Sequence, residues 1–120
     1  MGAVRVVVDD VDSAIDAFVA GGYVVAQRWG PPFAILSGPG PDLWVSGPGT
    51  SAARSSAELP VDLRAGGAVR PVLEVDDVSS AVEALAAAGW SPASGLVEGP
   101  GGGQRLMRHG SLVVEVFAGG

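Results

Sequence analysis

The sequence contains no cysteine, lysine or asparagine and only one histidine. Without cysteine it has no disulfide framework, thiolate zinc site or cysteine nucleophile, and a reducing cytoplasm is the expected location. No run approaches the ~20 apolar residues of a membrane span, and the first residues lack a basic stretch that leads into an apolar segment. We therefore expect a cytoplasmic protein with no membrane partner.

Positive charge is also scarce. Seven arginines stand against 13 acidic residues, which gives a formal net charge of −6. The arginines are scattered along the chain, whereas a nucleic-acid-binding surface needs a basic stripe or patch. We therefore predict no nucleic-acid partner. The acidic charge serves either solubility or the attraction of a cationic small molecule.

The chain contains an internal repeat, because a shift of 67 residues, from Val8 to Val75, lays one segment onto another. Both copies have a β-branched run, an acidic pair, an alanine-rich stretch with apolar residues at helical spacing, and then glycine. This order predicts a strand followed by a helix. The helix caps are predicted to be Asp10 or Asp12 in the first copy, and Asp77 or Ser79 in the second.

Three short strands are predicted after each helix, separated by glycine and proline turns. They span 23–29, 33–36 and 43–45 in the first copy, and 90–97, 104–108 and 111–117 in the second. Each copy is thus a βαβββ unit, and the predicted fold class is α+β with two tandem units. We expect one domain over 1–120, with units at 1–46 and 68–120 joined by a Ser-, Ala- and Gly-rich linker at 47–67.

The duplicated unit resembles the vicinal oxygen chelate superfamily, which includes glyoxalases, bleomycin-resistance proteins and dioxygenases. Each copy opens on the pattern V-x-D-[VL]-x-x-[SA], and the second closes with a glycine-rich turn at 99–103 and the strand sequence LVVEVF at 112–117. The resemblance covers nearly the whole chain outside the linker. It implies curved mixed sheets that line a cleft.

Metal enzymes of this superfamily hold a divalent ion with side chains on the first and last strands of the units. The matching positions here are Ala3, Arg70, Trp44 and Glu115, with Asp42 replacing Trp44 if the register slips. Only Glu115 is a good ligand, and a catalytic ion needs three or more. The resemblance therefore implies a chain with no metal site and no cofactor. Arg70 could bind a carboxylate or pair with Glu115, and the more specific prediction is that it pairs with Glu115 in the place of the metal.

The candidate catalytic residues are few, and each has a structural alternative. His109 is a possible base, but Gly110 after it favours a turn. Glu115 is either a pocket acid or a hydrogen-bonded strand residue. The acidic cluster at 9–12 suits either Mg²⁺ or helix capping, and capping needs no further assumption. No nucleophile elbow, phosphate loop or HExxH helix is present.

Metal-free members of the superfamily include antibiotic-binding proteins that sequester their ligand. Such a ligand stacks on aromatic side chains in a groove and meets acidic groups if it is cationic. Trp90 is expected in the core because its repeat mate is Tyr23. The predicted ligand-binding residues are Trp29, Phe33, Trp44, Arg70, Met107 and Glu115.

Two classes of function follow from these observations. The first is a homodimeric binder of a small aromatic or cationic molecule, of the antibiotic-resistance type. The second is an enzyme of the superfamily, a lyase, isomerase or dioxygenase that uses a metal or acid/base chemistry. A regulatory domain without a ligand is a third possibility. Stoichiometric binding without turnover distinguishes the first class from the second.

Overall fold

The first predicted unit is present in the computed structural model, which describes residues 2–119. A side-chain oxygen of Asp10 accepts a hydrogen bond from the backbone N–H of Ser13 and caps the helix, so Asp10 and not Asp12 is the cap. The elements of this unit are β1 (Ala3–Val7), α1 (Val11–Ala20), β2 (Val24–Trp29), β3 (Phe33–Ser37) and β4 (Asp42–Ser46).

The segment that we predicted to be a linker forms short helices. They are α2 (Ser51–Ala57), a 3₁₀ turn (Val61–Leu63) and α3 (Arg64–Gly67). Leu59 and Leu63 from this segment are almost fully buried and pack against Leu106 and Val113 of the second unit. The segment therefore contributes a hydrophobic core of its own instead of only connecting the units.

The second unit follows the predicted order with one difference. Asp77 caps its helix through the N–H of Ser80. The predicted strand at 90–97 is interrupted after Pro92. There the N–H groups of residues 93 and 94 both bond to one carbonyl, that of Leu106, as in a β-bulge. The elements are β5 (Val69–Glu74), α4 (Val78–Ala87), β6 (Ser91–Pro92), β7 (Val97–Gly99), β8 (Gly102–His109) and β9 (Leu112–Gly119).

The nine strands within residues 2–119 form one mixed sheet in the order β2-β3-β4-β1-β5-β9-β8-β6, with β7 also paired to β8. The two units join through the antiparallel pair of β1 and β5, in which Arg5 lies opposite Arg70. Opposite residues of such a pair point to the same face of the sheet. The predicted α+β class is therefore confirmed, and the junction of the units brings two arginine side chains together.

Two apolar clusters lie on the two faces of this sheet. On one face, Val11 and Ile15 of α1 pack against Ala34, Leu36 and other buried residues of β1, β3 and β4. The cluster under the helices of the former linker lies on the other face, the one to which Glu115 points, because Leu106 is directly opposite Glu115.

No helix within residues 2–119 is long and apolar enough to cross a membrane.

Candidate functional site

The centre of the sheet holds a buried cluster of two arginines and one glutamate. Arg5 Nε and Nη2 donate to the two oxygens of Glu115 at 3.1 and 2.7 Å. Arg70 Nε donates to Glu115 Oε1 at 3.1 Å. The Glu115 and Arg70 side chains are 0% exposed, and that of Arg5 is 6% exposed. The predicted pairing of Arg70 with Glu115 is therefore present, and Arg5 completes it.

Arg70 is held from all sides by the chain. Its Nη1 donates to Ser56 Oγ at 2.6 Å and to the Gly67 carbonyl at 2.9 Å, and its Nη2 donates to the Ala52 carbonyl at 3.3 Å. Burial lowers the pKa of Arg70, Glu115 opposes this shift, and the charge of Arg5 adds to it. Because its partners come from the helices of 51–67, Arg70 fixes that segment over the sheet.

Beside this cluster lies a cleft of about 630 Å³, within the usual range for small-molecule sites. Its lining comes from β1–β4, the start of α2, the turn before β8 and the end of β9. The lining residues are Arg5, Trp29, Pro32, Phe33, Ile35, Trp44, Ser46, Gly49, Thr50, Ser51, Ala52, Arg54, Pro100, Gly101, Gly102 and Phe117.

The aromatic side chains of the cleft are paired. Trp29 stacks on Phe33 with ring centroids 5.3 Å apart and planes at 27°, and Trp44 meets Phe117 edge to face at 5.3 Å. The Arg5 guanidinium lies 5.1 Å from the Trp44 ring and 5.8 Å from the Phe33 ring, within cation–π range. The lining therefore combines flat apolar surfaces with the buried guanidinium of Arg5.

The structure brings only part of the predicted site together. Trp29, Phe33 and Trp44 line the cleft. Arg70 and Glu115 lie in the buried cluster outside the lining. Met107 is fully buried on the opposite face of the sheet, because its neighbour Leu106 is the residue opposite Glu115.

The other candidate residues lie away from the cleft. His109 is exposed at the end of β8, where its ring is 5.5 Å from the half-buried Trp90 ring. In the acidic cluster, Asp10 caps α1 and Asp12 forms an ion pair with Arg28 at 2.8 Å. Among the residues that the structure describes, no three His, Asp or Glu side chains form a group able to hold a metal ion.

Our sequence reasoning missed Arg5 and the residues at the start of α2. The register of the repeat places the family's ligand position at Ala3 and not at Arg5. An arginine inside the β-branched run Val4–Val8 nevertheless indicates a buried charge. A charged residue in a buried strand needs a partner, and Glu115 was available. The small residues of the predicted linker at 47–67 gave no sign that its helices help to form the site.

Comparisons with solved structures agree on one fold. A glyoxalase/bleomycin resistance protein/dioxygenase superfamily member from Vibrio splendidus 12B01 has a TM-score of 0.63 at 16% identity, over 98% of this chain and 97% of that chain. A methylmalonyl-CoA epimerase from Mycobacterium tuberculosis gives 0.60 at 14% identity, over 98% and 86%. An NAD-dependent benzaldehyde dehydrogenase from Legionella pneumophila gives 0.66 at 11% identity, over 100% of both chains.

No protein-family model matches the sequence, and no curated protein matches it at a significant level. The structural neighbours carry names of different activities, so the shared fold does not by itself define an activity for this chain. It does define the architecture, in agreement with the duplicated βαβββ unit and the closing glycine-rich turn. The chain therefore has the vicinal oxygen chelate fold of the glyoxalase/bleomycin-resistance/dioxygenase superfamily.

Proposed function

We propose that this protein binds a small planar aromatic molecule in the cleft and holds it without chemical conversion. The observation that carries this proposal is the aromatic lining, in which Trp29, Phe33, Trp44 and Phe117 present flat surfaces around one opening. Aromatic side chains recognise flat ligands by stacking and contribute large buried areas. Trp29 supports the proposal further because it is 52% exposed at the cleft instead of filling the core.

The donor set at the centre of the sheet supports binding without a metal. Both oxygens of Glu115 already accept hydrogen bonds from guanidinium groups. A divalent cation on Glu115 would therefore face Arg5 and Arg70, two cations within the same cluster, in surroundings where like charges repel strongly. Trp44 offers no ligand atom. These residues do not fit the divalent ion of the metal enzymes, so we derive no catalytic step through one.

We further propose that the protein is a cytoplasmic homodimer of the sequestering, antibiotic-resistance type. The edge strand β2 supports self-association, because all of its residues are exposed and Val24 and Val25 are 62% and 46% exposed. Exposed apolar edge strands are sites of pairing with another chain. Analytical ultracentrifugation of the native protein and of Val24→Lys tests this: we expect a dimer that the variant weakens, and a native monomer would contradict it.

Isothermal titration calorimetry with 2-naphthamide, a neutral planar probe, tests binding in the cleft. We expect one site per chain in the native protein. Trp29→Ala removes a stacking surface and should weaken binding about 3- to 10-fold, whereas Trp90→Phe, outside the cleft, is the matched control and should leave the affinity unchanged. Equal effects of the two substitutions would contradict the proposed location.

Metal content distinguishes this proposal from a metal enzyme. The protein is purified without chelator or affinity tag, equilibrated with Fe²⁺, Mn²⁺, Ni²⁺ or Zn²⁺, desalted, and analysed by elemental mass spectrometry. We expect no tightly held ion. One ion per chain that is lost in Glu115→Gln would overturn the metal-free proposal and favour a lyase, isomerase or dioxygenase.

A further inference from the structure

We propose that the cleft selects aromatic molecules that carry a carboxylate or phosphate group, and that Arg5 binds this group. The inference rests on the proposed function, since it specifies the chemical class of the ligand for the same cleft. It differs from the cationic ligand expected from the net charge of the sequence. Three features of the cleft support an anion.

The first feature is the unused hydrogen-bonding capacity of Arg5. Its guanidinium has five N–H donors, and three of them bond to the Glu115 oxygens and to Ser46 Oγ, the last at 3.0 Å. One N–H on each terminal nitrogen has no partner among residues 2–119, and the residue lines the cleft. Guanidinium N–H groups are strong donors to the oxygens of a carboxylate or phosphate.

The second feature is the charge of the buried cluster. Arg5 and Arg70 carry two positive charges, and Glu115 carries one negative charge, so the cluster has one positive charge in excess. Burial of an unbalanced charge is costly unless it is paired. All the described partners of Arg70 other than Glu115 are neutral oxygens. An anionic ligand group at Arg5 would balance the excess charge.

The third feature is the sign of the charges around the cleft. Within residues 2–119, the lining contains two arginines, Arg5 and Arg54, and no aspartate or glutamate. Arg54 is exposed and donates from Nη2 to the backbone carbonyl of Glu98 at 3.0 Å, so this hydrogen bond does not neutralise its charge. The net charge of −6 comes from acidic residues that do not belong to this lining. The local field therefore favours an anion although the whole protein is acidic.

The position of Arg5 also explains why the anion should belong to an aromatic molecule. The guanidinium lies between 5 and 6 Å from the centres of the Trp44 and Phe33 rings. A ring that stacks on these side chains brings its substituents close to the free N–H donors. A planar acid therefore satisfies the apolar surface and the cation together, whereas an inorganic anion satisfies only the cation.

A charge series of one ring system tests the inference on the native protein. Affinities for 2-naphthoate, 2-naphthyl phosphate, neutral 2-naphthamide and cationic 2-naphthylmethylammonium are measured by calorimetry. We expect at least one of the two anions to bind about 10-fold or more tightly than the amide, because hydrogen bonds to charged groups are the stronger ones. The cation should bind most weakly, and the two anions distinguish a carboxylate site from a phosphate site.

Substitutions then test which residue is responsible for the preference for anions. Arg5→Met should reduce the anion-to-amide affinity ratio to about 3-fold or less. Arg54→Met should reduce the ratio less, because Arg54 is exposed and solvent ions screen its charge. Arg28→Met, outside the cleft, removes the same charge and should keep the full ratio. If Arg5→Met does not fold, Arg5→Lys keeps the charge but loses the guanidinium N–H donors, and it should still reduce the ratio relative to Arg28→Met.

The outcomes separate this inference from the proposed function. Binding of the amide with equal or weaker binding of both anions would overturn the selection of an anion but leave an aromatic cleft. Tighter binding of the cation than of the amide would also overturn the selection of an anion and leave an aromatic cleft. No binding of any of the four probes would contradict the proposed function itself. A preference for anions that Arg5→Met and Arg28→Met retain equally would overturn the assignment to Arg5.

Discussion

Glu115→Gln is the substitution with the largest predicted effect on stability. Glu115 accepts three hydrogen bonds from Arg5 and Arg70 at 2.7 to 3.1 Å. Glutamine has nearly the same shape, but it removes the negative charge and turns one acceptor oxygen into an NH₂ group that faces a guanidinium. Two buried cations then lie together without a counterion. Removal of one partner from a buried ion pair costs about 3–5 kcal/mol.

We therefore expect Glu115→Gln to lower the free energy of unfolding by about 3–5 kcal/mol, a large share of the roughly 5–15 kcal/mol of a typical domain. Urea denaturation followed by tryptophan fluorescence measures this loss. Glu83→Gln removes the same charge on the exposed side of α4 and should change stability by less than about 0.5 kcal/mol. A loss under about 1 kcal/mol for Glu115→Gln, with an unchanged urea dependence, would refute the cluster as a buried ion-pair network.

Three further predictions use the same denaturation measurement. Leu59→Ala should lower the free energy of unfolding by about 2–5 kcal/mol, because Leu59 is 1% exposed in the core of the former linker. Val61→Ala should leave stability nearly unchanged, because Val61 is 79% exposed. Equal effects of the two substitutions would mean that this segment is not packed. Gly102→Ala should cost about 1–3 kcal/mol, because Gly102 has φ +141° and an added Cβ would meet a backbone carbonyl of β9. At Gly101 an added Cβ would meet nothing within 4 Å, so Gly101→Ala should be tolerated. Asp10→Ala removes the α1 cap and should cost about 0.5–2 kcal/mol, and no loss would contradict that role.

The repeated parts of the chain could be predicted from sequence because their patterns are local. A β-branched run followed by an acidic cap and residues at helical spacing defines β1 and α1 in one copy, and β5 and α4 in the other. The caps themselves needed the structure, since Asp10 and Asp12 both had the right chemistry. The break after Pro92 had no such local pattern, because it depends on the bonding of two N–H groups, those of residues 93 and 94, to one carbonyl of β8.

The segment 47–67 could have been predicted better. Ala52, Leu59 and Leu63 are buried in the structure. The two leucines recur four residues apart, although Pro60 between them keeps them out of one helix. This apolar spacing was hidden by the many small residues around it, which also occur in flexible linkers. A local pattern cannot show which residues cover these leucines, because Leu106 and Val113 come from another part of the chain.

The cleft residues illustrate the same limit. The aromatic candidates were recognised from their scarcity, and three of them line the cleft. Met107 was chosen although a shift of one residue in a strand exchanges the two faces of the sheet. Arg5 was missed because its role depends on the pairing of β1 with β5, which places it opposite Arg70. That pairing is a contact between distant parts of the chain.

The central cluster links the stability of the protein to the occupancy of its cleft. Arg5 belongs to the first unit, Arg70 and Glu115 belong to the second, and the helices of 51–67 supply carbonyl and hydroxyl partners for Arg70. The same guanidinium that joins the units through Glu115 is the one with free donors at the cleft. An anion bound to Arg5 therefore balances the excess charge of the cluster only in the folded state, and binding to the folded state alone raises stability by mass action. At one fixed concentration above both dissociation constants, 2-naphthoate should accordingly raise the Tm of the native protein more than 2-naphthamide, because the stabilisation grows with the ratio of ligand concentration to Kd. This difference should shrink in Arg5→Met but persist in Arg28→Met. An equal rise for both probes at the same concentration would contradict the link between the buried charge and the ligand.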